Sequence, residues 1–209
     1  MTTLILIAKE CIPGRVKTRL HPPLSLEQAA ELASASLADT LDAVAGIEID
    51  RRILAYDGNR LPQGSEHYEV IHQVAGDLDA RLAAVFDRCS GPTVLIGMDT
   101  PQVTAEMLAP VFGEWPDDVD AWIGFANDGG YWTLALRQPD GSLIRDVPMS
   151  RDDTGALQLE RLLAAGLRVR ELPVLTDVDT ILDAREVAEA APHGRFARTL
   201  ASFGEGADA

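Results

Sequence analysis

Lysine is nearly missing from this chain. Lys9 and Lys17 are the only two in 209 residues, and 18 lysines and arginines face 33 aspartates and glutamates, a formal net charge of -15. An excess of acid on this scale argues against nonspecific binding to nucleic acid or to an anionic membrane. Cysteine is as scarce. Cys11 and Cys89 stand far apart, which leaves neither a disulfide framework nor the paired spacing of a structural zinc site. The four histidines, His21, His67, His72 and His193, show no metal-ligand spacing, and no Ser or Cys sits in a nucleophile elbow, so covalent catalysis has no support. No apolar run approaches the roughly 20 residues of a membrane span. Thr3 to Ala8 is too short for a signal-peptide core and has no cleavage site after it. A cytoplasmic protein with reduced thiols is the expectation.

What is present is the patterning of a globular protein, with 46% hydrophobic residues and 24% charged. That length and composition suit one domain over residues 1–209, with 204–209 as a frayed tail. Thr3 to Ala8 is continuously apolar and rich in β-branched residues, the pattern of a strand covered on both faces in a parallel sheet. Ser25-Leu26-Glu27-Gln28 is a capping box opening a helix with Ala30, Ala33, Leu37, Leu41 and Val44 on one face. Strands are expected over Arg51 to Tyr56, Glu69 to Val74, Thr93 to Ile96, Ala121 to Ala126, Tyr131 to Leu136 and Arg168 to Leu175, the last at an edge. Helices fall between them: one from Leu78 towards Cys89, one capped by Thr104, one starting at Asp153 or Thr154, one running to about Ala190, and a last short one marked by Phe196, Leu200 and Phe203. Strands alternating with helices point to an α/β fold, a three-layer α/β/α sandwich with a mostly parallel sheet.

Four cations, Lys9, Arg15, Lys17 and Arg19, fall within eleven residues directly after the first strand. Concentrated positive charge in an acidic protein suggests an anion site, and phosphate is the obvious anion. The Walker A pattern fails here, because Val16 rather than glycine precedes Lys17. The physical logic survives: Gly14 lets backbone approach a ligand, and the Arg and Lys side chains can neutralise phosphate oxygens. A solvated basic turn is the other reading. Asp99, just beyond the Thr93 to Ile96 strand, can hold Mg²⁺ or cap a turn before Pro101. Asp177-Val178-Asp179 follows another strand and can supply a second ligand or orient the metal's water. Asp128-Gly129-Gly130-Tyr131 is either a hairpin turn or a close-approach segment whose Asp128 and Tyr131 can bond a polyol or hold a base.

These stretches together resemble a known family over nearly the whole chain: the bacterial GT-A-fold proteins often labelled rSAM/selenodomain-associated transferases or DUF-type glycosyltransferases. The matching motifs are Ala8-Lys9 through Pro13-Gly14-Arg15-Val16-Lys17-Thr18-Arg19-Leu20, Gly76-Asp77-Leu78 with Arg81-Leu82, Gly97-Met98-Asp99-Thr100-Pro101, Asp128-Gly129-Gly130-Tyr131 and Asp177-Val178-Asp179-Thr180. More distantly the chain resembles nucleotidyltransferases such as the guanylyltransferase that activates phospholactate. The resemblance implies a nucleotide-diphospho-sugar transferase (GT-A, Rossmann-like) fold. It further implies nucleotide phosphates held by Lys9, Gly14, Arg15, Lys17, Thr18, Arg19, Asp77 and Arg81, and Mg²⁺ or Mn²⁺ on Asp99, Asp177 and Asp179. Gly129, Gly130 and Tyr131 would face the sugar or acceptor, with Asp128 as base. The sequence departs from the family pattern at Cys11, Asp79, Met98 to Thr100 and Trp132-Thr133. The partners implied are a nucleotide or nucleotide-sugar donor and a small-molecule acceptor. Glycosyl transfer, nucleotidyl transfer and nucleotide binding without turnover all stay open.

Overall fold

The computed structural model describes residues 1–205; of the expected tail, 206–209 lie outside the described residues. Seven strands, β1 (Thr3–Lys9), β2 (Arg51–Asp57), β3 (Glu69–His72), β4 (Thr93–Ile96), β5 (Ala121–Ala126), β6 (Tyr131–Leu136) and β7 (Val169–Leu175), form one sheet in the order β3-β2-β1-β4-β6-β5-β7. β1 runs parallel to β2 and β4, and β2 to β3. β6 is antiparallel to both β4 and β5, while β5 and β7 run parallel. Among the described residues six α-helices accompany the sheet: α1 (Leu26–Ala45), α2 (Leu78–Phe86), α3 (Ala105–Phe112), α4 (Thr154–Ala164), α5 (Ile181–Ala190) and α6 (Arg195–Glu205).

β1 lies among the central strands because its side chains are apolar on both faces. Leu4, Leu6 and Ala8 pack with Ala33 and Leu37 of α1 and Leu108 of α3, while Ile5 and Ile7 pack with Leu82 and Phe86 of α2 and Leu162 of α4. Burying a side chain of this size is worth about 1.5–3 kcal/mol, so the strand that delivers the cationic loop is held from both sides. α1 begins where the capping box was expected: Gln28 N donates to Ser25 Oγ at 3.1 Å and Ser25 N to Gln28 Oε1 at 2.9 Å. α5 and α6 form a third apolar cluster with α1 through Leu32, Val187 and Phe196.

Two boundaries differ from the sequence pattern by more than one residue. β3 stops at His72 rather than Val74, because the Gln73 side chain takes over the sheet's end, its amide donating to the carbonyls of Ala8 and Ala55 at 3.0 Å each. α2 stops at Phe86, short of Cys89. The segment between β5 and β6 is a hairpin, with a register break at Gly124 and Phe125. A side chain at Gly124 would collide with the Trp132 indole, whose Nε1 donates to Pro173 O at 3.0 Å. The break therefore ties β6 to β7.

Candidate functional site

The loops that follow β1, β4, β5 and β7 rise at one end of the sheet, where strand order turns outward from β1 and β4. Ligands of open α/β sheets bind at such a switch point. A cleft of about 680 Å³ lies there, lined among others by Lys9, Arg19, Arg81, Asp99, Asp128, Gly130, Tyr131, Asp177 and Asp179. A more polar groove of about 550 Å³ adjoins it over β1 and β2, lined by Lys9, Arg15, Tyr56, Asp57, Asn59, Gln73 and Arg81 among others. Lys9, Asp57, Gln73 and Arg81 border both. The structure thus brings together most of the residues singled out in the sequence. Gly14, Lys17, Thr18, Asp77 and Gly129 do not line either space: Thr18 opens a short 3-10 turn and Asp77 stands at the N-cap of α2.

Lys17 departs from its expected role. Its backbone is left-handed, φ 45° and ψ 38°, a conformation that costs a non-glycine residue roughly 1–2 kcal/mol and is retained where the surroundings enforce it. That turn sends the side chain inward, 9% exposed, where Nζ lies 2.8 Å from Asp99 Oδ1, 3.3 Å from Asp177 Oδ1 and 3.6 Å from Asp179 Oδ1. Lys17 donates a hydrogen bond to Asp177. The approach to Asp99 is closer, an ion pair at a buried carboxylate oxygen. Arg19 adds a second cation, Nη1 at 2.7 Å from Asp179 Oδ2.

Backbone contacts fix this constellation. Val178 N donates to Asp99 O at 3.1 Å, Asp177 N donates to Asn127 Oδ1 at 3.1 Å, and Gln102 Nε2 donates to Thr176 O at 2.7 Å. Thr180 and Asp183 cap α5 reciprocally and so anchor Asp179. Burial alone would lower the Lys17 pKa, but Asp99, Asp177 and Asp179 together outweigh it and hold the ammonium well above its ordinary range. For Asp177 the balance goes the other way: burial pushes its carboxyl up to about 7 against the pull of Lys17, and Asp99, Asp179 and Asp128 add to the rise. The ammonium, shared with two other carboxylates, does not offset the burial of Asp177.

Lys17, expected at a phosphate, and its three partners, expected at a metal, meet one another in this structure. The carboxylates do converge, but on the Lys17 ammonium. Among the described residues no three His, Cys, Asp or Glu side chains surround a position open to a metal ion. Mg²⁺ or Mn²⁺ does not fit this donor set while Lys17 occupies its centre.

Asp128 lines the cleft and accepts from Gly130 N through Oδ1 at 2.9 Å, which steadies the hairpin turn. Gly129, with φ +88°, packs against the backbone of Asp152 instead of facing the cleft, and its carbonyl accepts from Gly155 N at 2.8 Å. Tyr131 borders the cleft, with its hydroxyl 3.5 Å from Gln158 Oε1; burial holds its phenol well above the ordinary value. Asp79 turns away to accept from Asp146 N at 2.8 Å. Sequence reasoning missed the segment Met149-Ser150-Arg151-Asp152, which forms one wall of the cleft. Arg151 pairs bidentately with Asp153 at 2.8 Å for each bond. Ser150 has φ 58° and Asp146 φ 65°, but nothing in an Asp-Val-Pro-Met-Ser-Arg string announces those backbone conformations.

The family profile for uncharacterized proteins conserved in bacteria, DUF2064, matches residues 32–151. The chain belongs to the DUF2064 family. This DUF2064 chain is similar in fold to the crystal structure of a candidate nucleotide-diphospho-sugar transferase from Desulfovibrio desulfuricans G20, with a TM-score of 0.83 and 23% identity over 96% of this chain and 94% of the other. A CMP:2-keto-3-deoxy-manno-octonic acid synthetase complexed with CTP superposes with a TM-score of 0.57 at 12% identity, covering 91% and 98%. Glucosyl-3-phosphoglycerate synthase from Mycobacterium tuberculosis, in complex with Mn²⁺, UDP and glucosyl-3-phosphoglycerate, gives 0.53 at 12% identity, covering 96% and 78%. Among curated proteins none matches the sequence. The fold of this DUF2064 chain is that of the nucleotide-diphospho-sugar transferases. None of its described helices is long and apolar enough to cross a membrane.

Proposed function

We propose that this protein is a transferase acting on a nucleotide-activated donor, with glycosyl transfer from a nucleoside-diphosphate sugar as the reaction its site suits best. The observation that carries this reading is the pair of adjoining spaces bordered in common by Lys9 and Arg81. A nucleotide sugar is long, anionic in the middle and neutral at both ends. Its nucleoside suits the smaller polar groove, its diphosphate the shared cationic border, and its sugar and the acceptor the larger cleft. The same fold carries UDP in the glucosyl-3-phosphoglycerate synthase, which supports the reading without fixing the substrate.

In this reaction the acceptor hydroxyl attacks the anomeric carbon, the bond from that carbon to the diphosphate oxygen breaks, and the nucleoside diphosphate leaves with the electron pair. Lys9, Arg19 and Arg81 stabilise the charge growing on the leaving group. Asp128, at the cleft wall, takes the acceptor proton. The divalent ion expected beside them does not fit the carboxylates as they stand, and no step here runs through one.

A second reading is nucleotidyl transfer, in which an acceptor phosphate attacks the α-phosphorus of a nucleoside triphosphate and pyrophosphate departs. The fold shared with a synthetase complexed with CTP favours keeping it. Thermal unfolding with nucleoside mono-, di- and triphosphates and nucleotide sugars tests both, since a ligand bound only to the folded state raises its stability. A diphosphate or nucleotide sugar should raise Tm, and Arg81→Ala should erase the rise. Labelled donors then separate the chemistries: pyrophosphate release without loss of sugar sinks the glycosyl reading, and no nucleotide effect at millimolar concentration sinks both.

A further inference from the structure

We infer that the ammonium of Lys17 is the resident cation of this site, standing where the three carboxylates would otherwise gather a divalent metal. Asp99, Asp177 and Asp179 arrive from two different loops, after β4 and after β7, and all three present an oxygen within 3.6 Å of one nitrogen. Hard carboxylate oxygens brought together in this way are the donor set of a Mg²⁺ or Mn²⁺ site. Here a covalently tethered cation fills the shared position.

Independent features show that the placement is built and not incidental. Lys17 adopts a left-handed backbone to reach inward, and its neighbour Val16 is buried in the core below, 1% exposed. The loop after β7 is hydrogen-bonded to the loop after β4 through Val178 and Asp99, so the carboxylates are held together by backbone as well as by charge. A lysine is a compact point charge with three donors. It can serve three carboxylates at once, and it leaves the larger forked cation, Arg19, on the solvent side, where its side chain is 73% exposed.

The consequence is chemical. Lys17 neutralises part of the acidic wall so that a diphosphate can approach, while Lys9, Arg19 and Arg81 meet the phosphates directly. This deepens the nucleotide-donor reading and rests on it for the identity of the anion; the statement about the metal does not.

The test is Mn²⁺ alone, titrated by calorimetry into wild type and into Lys17→Met, which removes the charge and keeps the stem. Wild type should bind no Mn²⁺ at this site and show the same Tm with Mn²⁺ and with EDTA. Lys17→Met should unfold at lower temperature, bind one Mn²⁺ at least about tenfold more tightly than wild type, and recover Tm when Mn²⁺ is added. One Mn²⁺ bound by wild type and lost in Asp99→Asn overturns the inference, as does a folded Lys17→Met that gains no affinity. If Lys17→Met does not fold, the wild-type titration still decides. No nucleotide is present in these titrations, so their result stands whether or not the donor reading holds.

Discussion

The Lys17 ammonium lies 2.8 Å from Asp99 and keeps 9% of its side-chain surface exposed, whereas Arg19, 2.7 Å from Asp179, keeps 73%. Two ion pairs of nearly equal length thus differ in what they are worth. Removing one partner of a buried pair strands charge in a poorly solvated place and costs about 3–5 kcal/mol, while an exposed pair is worth about 1 kcal/mol or less. The carboxylates around Lys17 are 26–32% exposed, which places Lys17→Met at the lower end, about 3 kcal/mol. Arg19→Ala should cost less than about 1 kcal/mol. Urea denaturation of both variants at neutral pH checks the ordering, and equal losses would remove the buried lysine from the account of stability.

The sheet was legible from sequence because both of its periods were written plainly. Continuous apolar runs marked β1 and β4, and the capping box at Ser25 marked the start of α1. The convergence of Asp99 with Asp177 and Asp179 was legible too, because each follows a strand and strand ends meet at one edge. The inward turn of Lys17 was not legible for a local reason: position in a basic loop does not reveal a left-handed φ, and that single torsion directs the side chain to the carboxylates. The wall at Met149 to Asp152 was invisible for the same kind of reason. Its place depends on two non-glycine residues with positive φ and on Gly129 meeting the backbone of Asp152, and neither leaves a periodic signature.

With only two lysines, amine chemistry can report the difference directly. Lys9 is exposed, whereas the Lys17 ammonium is buried and held protonated by three carboxylates. Acetic anhydride or a succinimidyl ester reacts with the neutral amine, so labelling of native protein at pH 8 should reach Lys9 and spare Lys17. Peptide mass spectrometry reads both sites. In urea the two should label alike, and equal labelling in the native state would mean that Lys17 faces solvent.

Asp177 provides a pH signature with a definite sign. Its carboxyl is raised from an ordinary 3.8 to about 7, so the folded chain keeps a proton there that the unfolded chain has already lost. Stability from this group therefore falls as pH rises from about 4 to about 7 and is level above that. Lys17, raised above its ordinary 10.5, contributes stability that is fully present below that pH, so it does not alter the slope. Carboxylates with lowered values, among them Glu10 and Asp140, act in the opposite sense below about pH 4.5 and are common to wild type and variant. The Tm of Asp177→Asn relative to wild type should rise across pH 4 to 7. A relative fall would show that Lys17, and not burial, decides the ionisation of Asp177.

The two glycines of the β5–β6 turn separate fold from function. Gly129 has φ +88°, and a Cβ there would overlap the Asp152 backbone. Backbone cannot yield as a flexible side chain can, so Gly129→Ala must displace the wall that carries Arg151, at an expected cost of about 3 kcal/mol from strain and clash combined. At Gly130 a Cβ would stand 3.1 Å from Asp128 Oδ1 with no positive φ. That asks only for a small shift of one carboxylate, about 1 kcal/mol or less. Gly130 lines the cleft, so its new methyl group and the displaced Asp128 act where the sugar or acceptor would lie. Gly129→Ala should therefore lower Tm sharply and weaken every ligand effect with it, while Gly130→Ala should keep near wild-type Tm and nucleotide binding but lose transfer. If Gly130→Ala left transfer intact, Asp128 would not be the group that receives the acceptor proton.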